Sequence, residues 1–198
     1  QIENYQEAEK YYLKAIDIGE NYKYWLEIGK NYLNQGSGER AKQSLLKADE
    51  EKSQSESWYL LAIISLINRN DEEFAGYANK LSTGIKNDLL KISETKKTSA
   101  KINKIYDLLI TLGYPQLAYD YLQENKNIIS LDRDGLIRLA NEEYRKNNLG
   151  QAYQYLLTAK SIDSYYPQTY RHLILVAGEL KKDAEAEQYK KTLSTITW

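Results

Sequence analysis

The sequence predicts an all-α fold, an array of antiparallel helix hairpins, on three observations. Apolar residues recur at spacings of three and four over stretches of helical length, each time marking one face of a helix. A short break at Gly36-Ser37-Gly38 joins two such stretches into a hairpin. The two-helix pattern then returns at intervals of 33 to 34 residues. One hairpin cannot bury both of its apolar faces, so repeated hairpins stack against their neighbours.

The clearest unit is WLEIGKNYLNQGSGERAKQSLLKA, residues 25–48. Trp25, Ile28, Gly29 and Tyr32 lie on one face of its first helix; Ala41, Leu45 and Ala48 lie on one face of its second. Small residues such as Gly29 and Ala41 at the contact allow two helix backbones to approach closely. Upstream, Ala8, Tyr12 and Ala15 stand 33 residues before Ala41, Leu45 and Ala48. Downstream, Trp58, Leu61 and Ala62 follow Trp25, Ile28 and Gly29 at the same interval. Next, Ile102, Ile105, Tyr106 and Leu109 lead through Gly113 to Ala118 and Leu122. Leu136, Leu139 and Ala140 lead to Ala152, Leu156 and Ala159, and Tyr170, Leu173, Ile174 and Ala177 lead to Ala186, Tyr189 and Leu193. Ala118 to Ala152 and Ala152 to Ala186 each span 34 residues.

One place breaks the period: Phe74 to Ala118 spans 44 residues. The added material includes LSTGIKNDLLKISETKKTSAK at 81–101, helical in character around Leu89, Leu90 and Ile92 and polar through SETKKTS. It is either a lengthened helix or surface loop, or a hinge or docking segment. The chain accordingly divides into N-terminal repeats at 1–81, an irregular insertion or extended helix at 82–98, and C-terminal repeats at 99–198. The first repeat is partial, since Asn4 to Ile18 supplies only a second helix. With no methionine and a start at Gln1, further repeats upstream in a longer protein are expected. At the other end, KKDAEAEQYKKTL at 181–193 is charged enough to act as a polar cap.

Trp25, Ile28-Gly29, Tyr32, Ala41 and Leu45 resemble the tetratricopeptide repeat, whose 34-residue helix–turn–helix unit carries W-x₂-L-G-x₂-Y followed by A-x₃-F. The other units are degenerate: Phe74-Ala75 takes the small-residue place in the second, and Ser65 replaces its tyrosine. The resemblance covers about nine tenths of the chain. It implies a right-handed superhelical solenoid whose first helices line a concave groove, and a protein or peptide partner held along that groove. The positions it places there are Lys23, Lys30 and Asn34; Tyr59, Ile63 and Leu66; Asn103 and Asp107; Asn141, Tyr144 and Arg145; and Arg171 and Glu179. Such a mixture suits an extended peptide, held through its backbone and by aromatic contact. The clamp that captures chaperone C-termini in one subfamily is absent, because Leu26 and Lys30, and later Ile137 and Asn141, occupy its positions.

Composition excludes several other classes of function. Lys and Arg total 27 against 28 Asp and Glu, so nothing draws the chain globally toward nucleic acid or anionic membrane. Helical repeats that read RNA need matching polar readers in successive units, and none are regular here. At 42% hydrophobic residues, the chain suits a thin array better than one central core. The longest apolar run, LLAIISLI at 60–67, is too short to span a bilayer. Without cysteine there is no disulfide and no Cys-type zinc site, and with His172 as the one histidine no transition-metal site is expected. Asp49-Glu50-Glu51 and Asp71-Glu72-Glu73 fall at helix ends or turns, and Asp71 to Glu73 lie in the first turn of a second helix, where negative charge is favourable against the dipole. No phosphate loop, dinucleotide fingerprint or nucleophile elbow is present, so no catalytic residues, cofactor or enzyme activity are expected.

The expectation is a non-enzymatic protein-interaction scaffold that organises an assembly. Its rival is a polysaccharide- or polymer-guiding module of a bacterial envelope secretion system, in which tyrosines of the groove would stack on sugars. Nineteen tyrosines against one phenylalanine fit either that role or plain AT-rich drift, which also points to a bacterial envelope or periplasmic protein. Tyrosines clustered on the groove would favour the rival; tyrosines scattered between helices would not.

Overall fold

The computed structural model describes residues 2–16 and 21–196, apart from the side chains of 2–4, 6 and 21. Gln1, Trp198 and the expected end of the first helix at Ile18 lie outside the described residues. Every regular element among those residues is an α-helix. The chain forms two compact units, residues 1–121 and 122–198, with the boundary inside a helix.

In the first unit, α1 (Ile2–Ile16) packs on α2 (Asn21–Asn34), which pairs with α3 (Gly38–Glu51). Helix α3 leans on α4 (Ser55–Ile67), which pairs with α5 (Asp71–Ala78). Then come α6 (Thr83–Ser93), α7 (Thr98–Thr111) and α8 (Pro115–Glu124). In the second unit, the short α9 (Lys126–Ile129) abuts α10 (Arg133–Arg145), α10 pairs with α11 (Leu149–Ile162), and α12 (Pro167–Glu179) pairs with α13 (Asp183–Ile196). The all-α, hairpin-by-hairpin architecture is therefore the one the spacing predicts.

Five helix-to-helix turns repeat one geometry. Each first helix ends on a residue in the left-handed region: Gly36, Arg69, Gly113, Asn147 and Lys181. The next residue donates its backbone N–H back to the carbonyl five positions earlier, as Ser37 does to Tyr32 (2.8 Å), Asn70 to Ser65 (2.9 Å), Tyr114 to Leu109 (2.9 Å), Asn148 to Glu143 (2.8 Å) and Lys182 to Ala177 (2.9 Å). This Schellman closure satisfies carbonyls that the helix end would otherwise leave open. The same five residues then start the second helix, accepting at 3.0 Å from the N–H groups of Ala41, Phe74, Ala118, Ala152 and Ala186. One residue thus ends one helix and begins the next, and no slack is left in the hairpin.

The left-handed residues recur at intervals of 33, 44, 34 and 34. The long interval holds α6, a separate 11-residue helix rather than a lengthened one or an irregular loop. Leu89 anchors it with only 2% of its surface exposed, and the chain breaks again at 94–97 before α7 begins. Since α6 is inserted whole between two hairpins, the turn geometry downstream is undisturbed.

Packing follows the small residues. A Cβ on Gly29 would stand 2.8 Å from Leu45 Cγ and 3.4 Å from the Ala41 carbonyl, so α2 and α3 meet only because that position is bare. Ala41 and Leu45 are fully buried beneath it. A second close approach lies at Gly135, where a Cβ would stand 2.5 Å from the Ile129 carbonyl oxygen. There α9 presses on the first turn of α10, whose N-cap Asp132 accepts from the Gly135 N–H at 3.2 Å. Each fully buried aliphatic side chain, such as Leu45, Leu61, Ile105 or Leu139, contributes about 1.5–3 kcal/mol of transfer free energy. The acidic run Asp71–Glu73 falls in the first turn of α5, on the favourable end of its dipole.

Candidate functional site

The first helix of each hairpin presents the positions where the sequence places a partner. On α2, Lys23 is exposed, Asn34 is half-buried, and Lys30 is held by carboxylates. Its Nζ lies 2.9 Å from Glu27 on the same helix and 2.6 Å from Glu56 on α4. Burial pulls the Lys30 pKa down, but hydrogen bonds to Glu56 and Glu27 outweigh that and leave it raised. Tyr59 on α4 is half-buried, and burial followed by the nearby Asp88 carboxylate raises its phenol pKa.

This part of the face is occupied by the chain itself. Tyr114, at the α7–α8 turn, is 8% exposed. Burial raises its pKa first, with Lys30, Glu56, Glu27 and Tyr59 all within electrostatic reach. Helix α8 also presses on the end of α2: a Cβ on Gly36 would collide with the Asp120 carboxylate and stand 3.3 Å from Gln116 Cγ. Leu26 and Leu33 of α2 and Ile63 and Leu66 of α4 are buried. Tyr114 and Asp120 of the third hairpin thus lie close to first-helix residues of the two before it. Asn103 on α7 is buried too, at 6% exposure, whereas Asp107 one turn on is exposed.

In the second unit the corresponding positions are more open. Asn141 and Tyr144 on α10 are half-buried, and Arg145 is exposed and paired at 2.8 Å with the buried Glu142. On α12, Arg171 and Glu179 are exposed, and Leu175 between them keeps 47% of its surface in solvent. Arg171 donates to Gln168 Oε1 at 3.2 Å. His172 is held by Gln168 at 3.1 Å, and burial lowers its pKa, which keeps the imidazole neutral near pH 7.

Several tyrosines serve packing. Tyr32 donates to Glu9, accepts from Arg40 at 2.8 Å and carries the Arg40 guanidinium 4.1 Å above its ring. Burial, then the Glu9 hydrogen bond, pushes its phenol up to about 12. Tyr153 and Tyr189 share a buried hydroxyl–hydroxyl bond of 2.8 Å, and Tyr170 meets Tyr189 edge-on at 6.2 Å. Two tryptophans are likewise engaged: Trp58 donates to Asp49 at 2.7 Å, and Lys47 sits 4.1 Å over Trp25.

Among the described residues, no group of three acidic, His or Cys side chains is placed to hold a metal ion, and no helix is long and apolar enough to cross a membrane. A feature that spacing alone did not reveal is a cationic cavity in the first unit, lined by Arg69, Lys96 and Lys101. Its traces in the sequence are the broken period and the lysines around SETKKTS.

The hairpins and their turns define an all-α helical-repeat protein whose units resemble the tetratricopeptide repeat. No protein-family profile and no curated protein matches the chain. Solved structures of similar shape include PilF of Pseudomonas aeruginosa, 16% identical, TM-score 0.46, covering 98% of this chain and 79% of that one. MamA of Desulfovibrio magneticus RS-1 is 16% identical at a TM-score of 0.45, covering 90% of this chain and 96% of its own. YrrB, described as a tetratricopeptide-repeat protein with an unusual peptide-binding site, is 14% identical at 0.46, covering 94% and 92%.

Proposed function

We propose that the chain is a non-enzymatic scaffold that binds a protein or peptide segment along its first-helix faces and so helps to organise an assembly. The observation that carries this is the α10 and α12 face of the second unit. There Leu175, Arg171 and Glu179 are exposed on α12, and Asn141, Tyr144 and Arg145 present polar and aromatic groups on α10. An exposed leucine flanked along its own helix by Arg171 and Glu179 suits contact with a short segment better than it suits solvent alone. In the first unit, by contrast, Lys30 is already neutralised by Glu27 and Glu56, and Tyr114 lies beside them.

The polymer-guiding reading draws no support from the buried tyrosines, although Tyr11 and Tyr165 are exposed and Tyr59 and Tyr144 half-buried. Tyr32, Tyr106, Tyr121, Tyr153, Tyr170 and Tyr189 are buried rather than displayed for stacking on sugars. The deciding experiment is affinity capture from the source proteome with the full chain and with a Leu175→Asp, Arg171→Glu double variant. A specific protein captured by the wild type and lost with the variant is the expected result. Capture of nothing specific, or glycan-array binding abolished by Tyr59→Ala and Tyr144→Ala, overturns the scaffold reading.

A further inference from the structure

The α4–α5 turn, the break between α6 and α7 and the end of the first unit enclose a cavity of about 320 Å³. Arg69, Lys96 and Lys101 line it with the Thr98 side chain, over an apolar floor of Leu66, Ile102 and Tyr121. Asp71 is its one carboxylate. The charge balance of the lining is therefore positive on a chain whose net charge is −1. Some cations elsewhere in this unit are paired with carboxylates, Lys42 with Glu73 at 2.7 Å, Lys80 with Asp49 at 3.6 Å and Lys91 with Asp88 at 2.8 Å. Among the described residues, neither Lys96 nor Lys101 lies in an ion pair. Lys101 and Asp71 also border an adjoining cavity of about 290 Å³, where Lys86 and Glu94 add one charge of each sign. The excess positive charge stays with the first cavity.

We infer that this cavity binds a phosphate monoester carried on a side chain of the protein partner. The inference rests on the scaffold reading and specifies its ligand chemistry. A phosphorylated side chain brings about −1.5 to −2 charges and three acceptor oxygens, which matches two ammonium groups, a guanidinium and a hydroxyl. At about 30 Å³ of liquid volume per water, the cavity exceeds the needs of one small ion, and its floor suits the carbon body to which a phosphate is attached. A nucleic acid or an anionic membrane would need a wider basic face, which the near-neutral chain does not offer. The break after the inserted α6 supplies Lys96, and the start of α7 supplies Thr98, so the insertion has a binding use.

The test titrates the full chain with N-acetyl-phosphoserine amide and with inorganic phosphate, followed by ³¹P NMR and calorimetry, for the wild type, Lys101→Ala and Arg69→Gly. Saturable binding of the phosphoserine probe, weakened about tenfold or more in each variant, is the expected result. Arg69 sits in the left-handed region, so glycine there preserves the turn, and an undiminished melting temperature separates lost binding from lost folding. Absence of saturable binding, or binding equal in wild type and variants, overturns the inference. So does binding of phosphoinositide vesicles or a DNA oligonucleotide that requires Lys101 while the phosphoserine probe is ignored. The Leu175→Asp, Arg171→Glu double variant retains probe binding if the cavity acts as inferred, even should the α10 and α12 face prove to bind nothing.

Discussion

Gly29 of α2 and Leu45 of α3 meet so closely that a methyl group on Gly29 would stand 2.8 Å from Leu45 Cγ and 2.9 Å from Cδ2. Leu45 is fully buried and cannot swing away without opening the hairpin. Overpacking of this kind costs about 1–3 kcal/mol. Gly29→Ala is therefore expected to lower the urea midpoint without changing the m-value, and Gly29→Ala with Leu45→Ala to lose less than the sum of the two single changes. Strict additivity in that double-mutant cycle would contradict the contact.

The hairpin turns predict substitutions of opposite sign. Lys181 holds a left-handed φ of 57°, where a Cβ is disfavoured, and its backbone N–H donates to the Gly178 carbonyl at 3.0 Å. Lys181→Gly removes the steric cost and keeps the bond, for a gain of roughly 0.5–1 kcal/mol after the unfolded-state entropy of glycine is counted. Gly113→Ala, at φ 83° in the equivalent turn, should lose about 1 kcal/mol though nothing lies within 4 Å of the added methyl. Thermal melts of the two variants moving in the same direction would mean that the turns are not equivalent.

Tyr32 makes stability depend on alkaline pH. Its phenol is pushed up to about 12 by burial and by Glu9, above the ordinary value of 10, so the folded state holds the proton more tightly than the unfolded chain. The resulting stabilisation is fully present below pH 10 and is lost as pH rises through the folded value. Between pH 8 and 9.5 the contribution is flat; from about 10 upward the urea midpoint should fall. Tyr32→Phe should fall less steeply over that upper window, and an unchanged slope would remove Tyr32 as a cause.

Much of the fold was legible in the residues. Trp25, Ile28, Gly29, Tyr32, Ala41 and Leu45 report a hairpin because a helix contact demands apolar and small side chains at periods of three and four. The 33 to 34 residue interval carries that reading from unit to unit. The turns were harder to see, since a left-handed residue reads as a signal at Gly36 and Gly113 but not at Arg69 or Lys181. The candidate groove was legible only as a set of positions. Nothing in the spacing of Lys30, Tyr59 or Asn103 says whether solvent reaches them, and the structure exposes Arg171, Asp107 and Glu179 while burying Asn103.

By itself the sequence determined the all-α class, the hairpin period and the residues at each helix contact, because periodicity is a local property that side-chain chemistry records directly. The tertiary structure decided which faces are spent. It laid Tyr114 and Asp120 of the third hairpin against the first two, made α6 a helix of its own, and drew Arg69 together with Lys96 and Lys101 around one cavity. Those outcomes follow from how far one rigid hairpin rotates onto the next. That rotation is set by the summed packing of many residues distant in sequence, and no single motif encodes it.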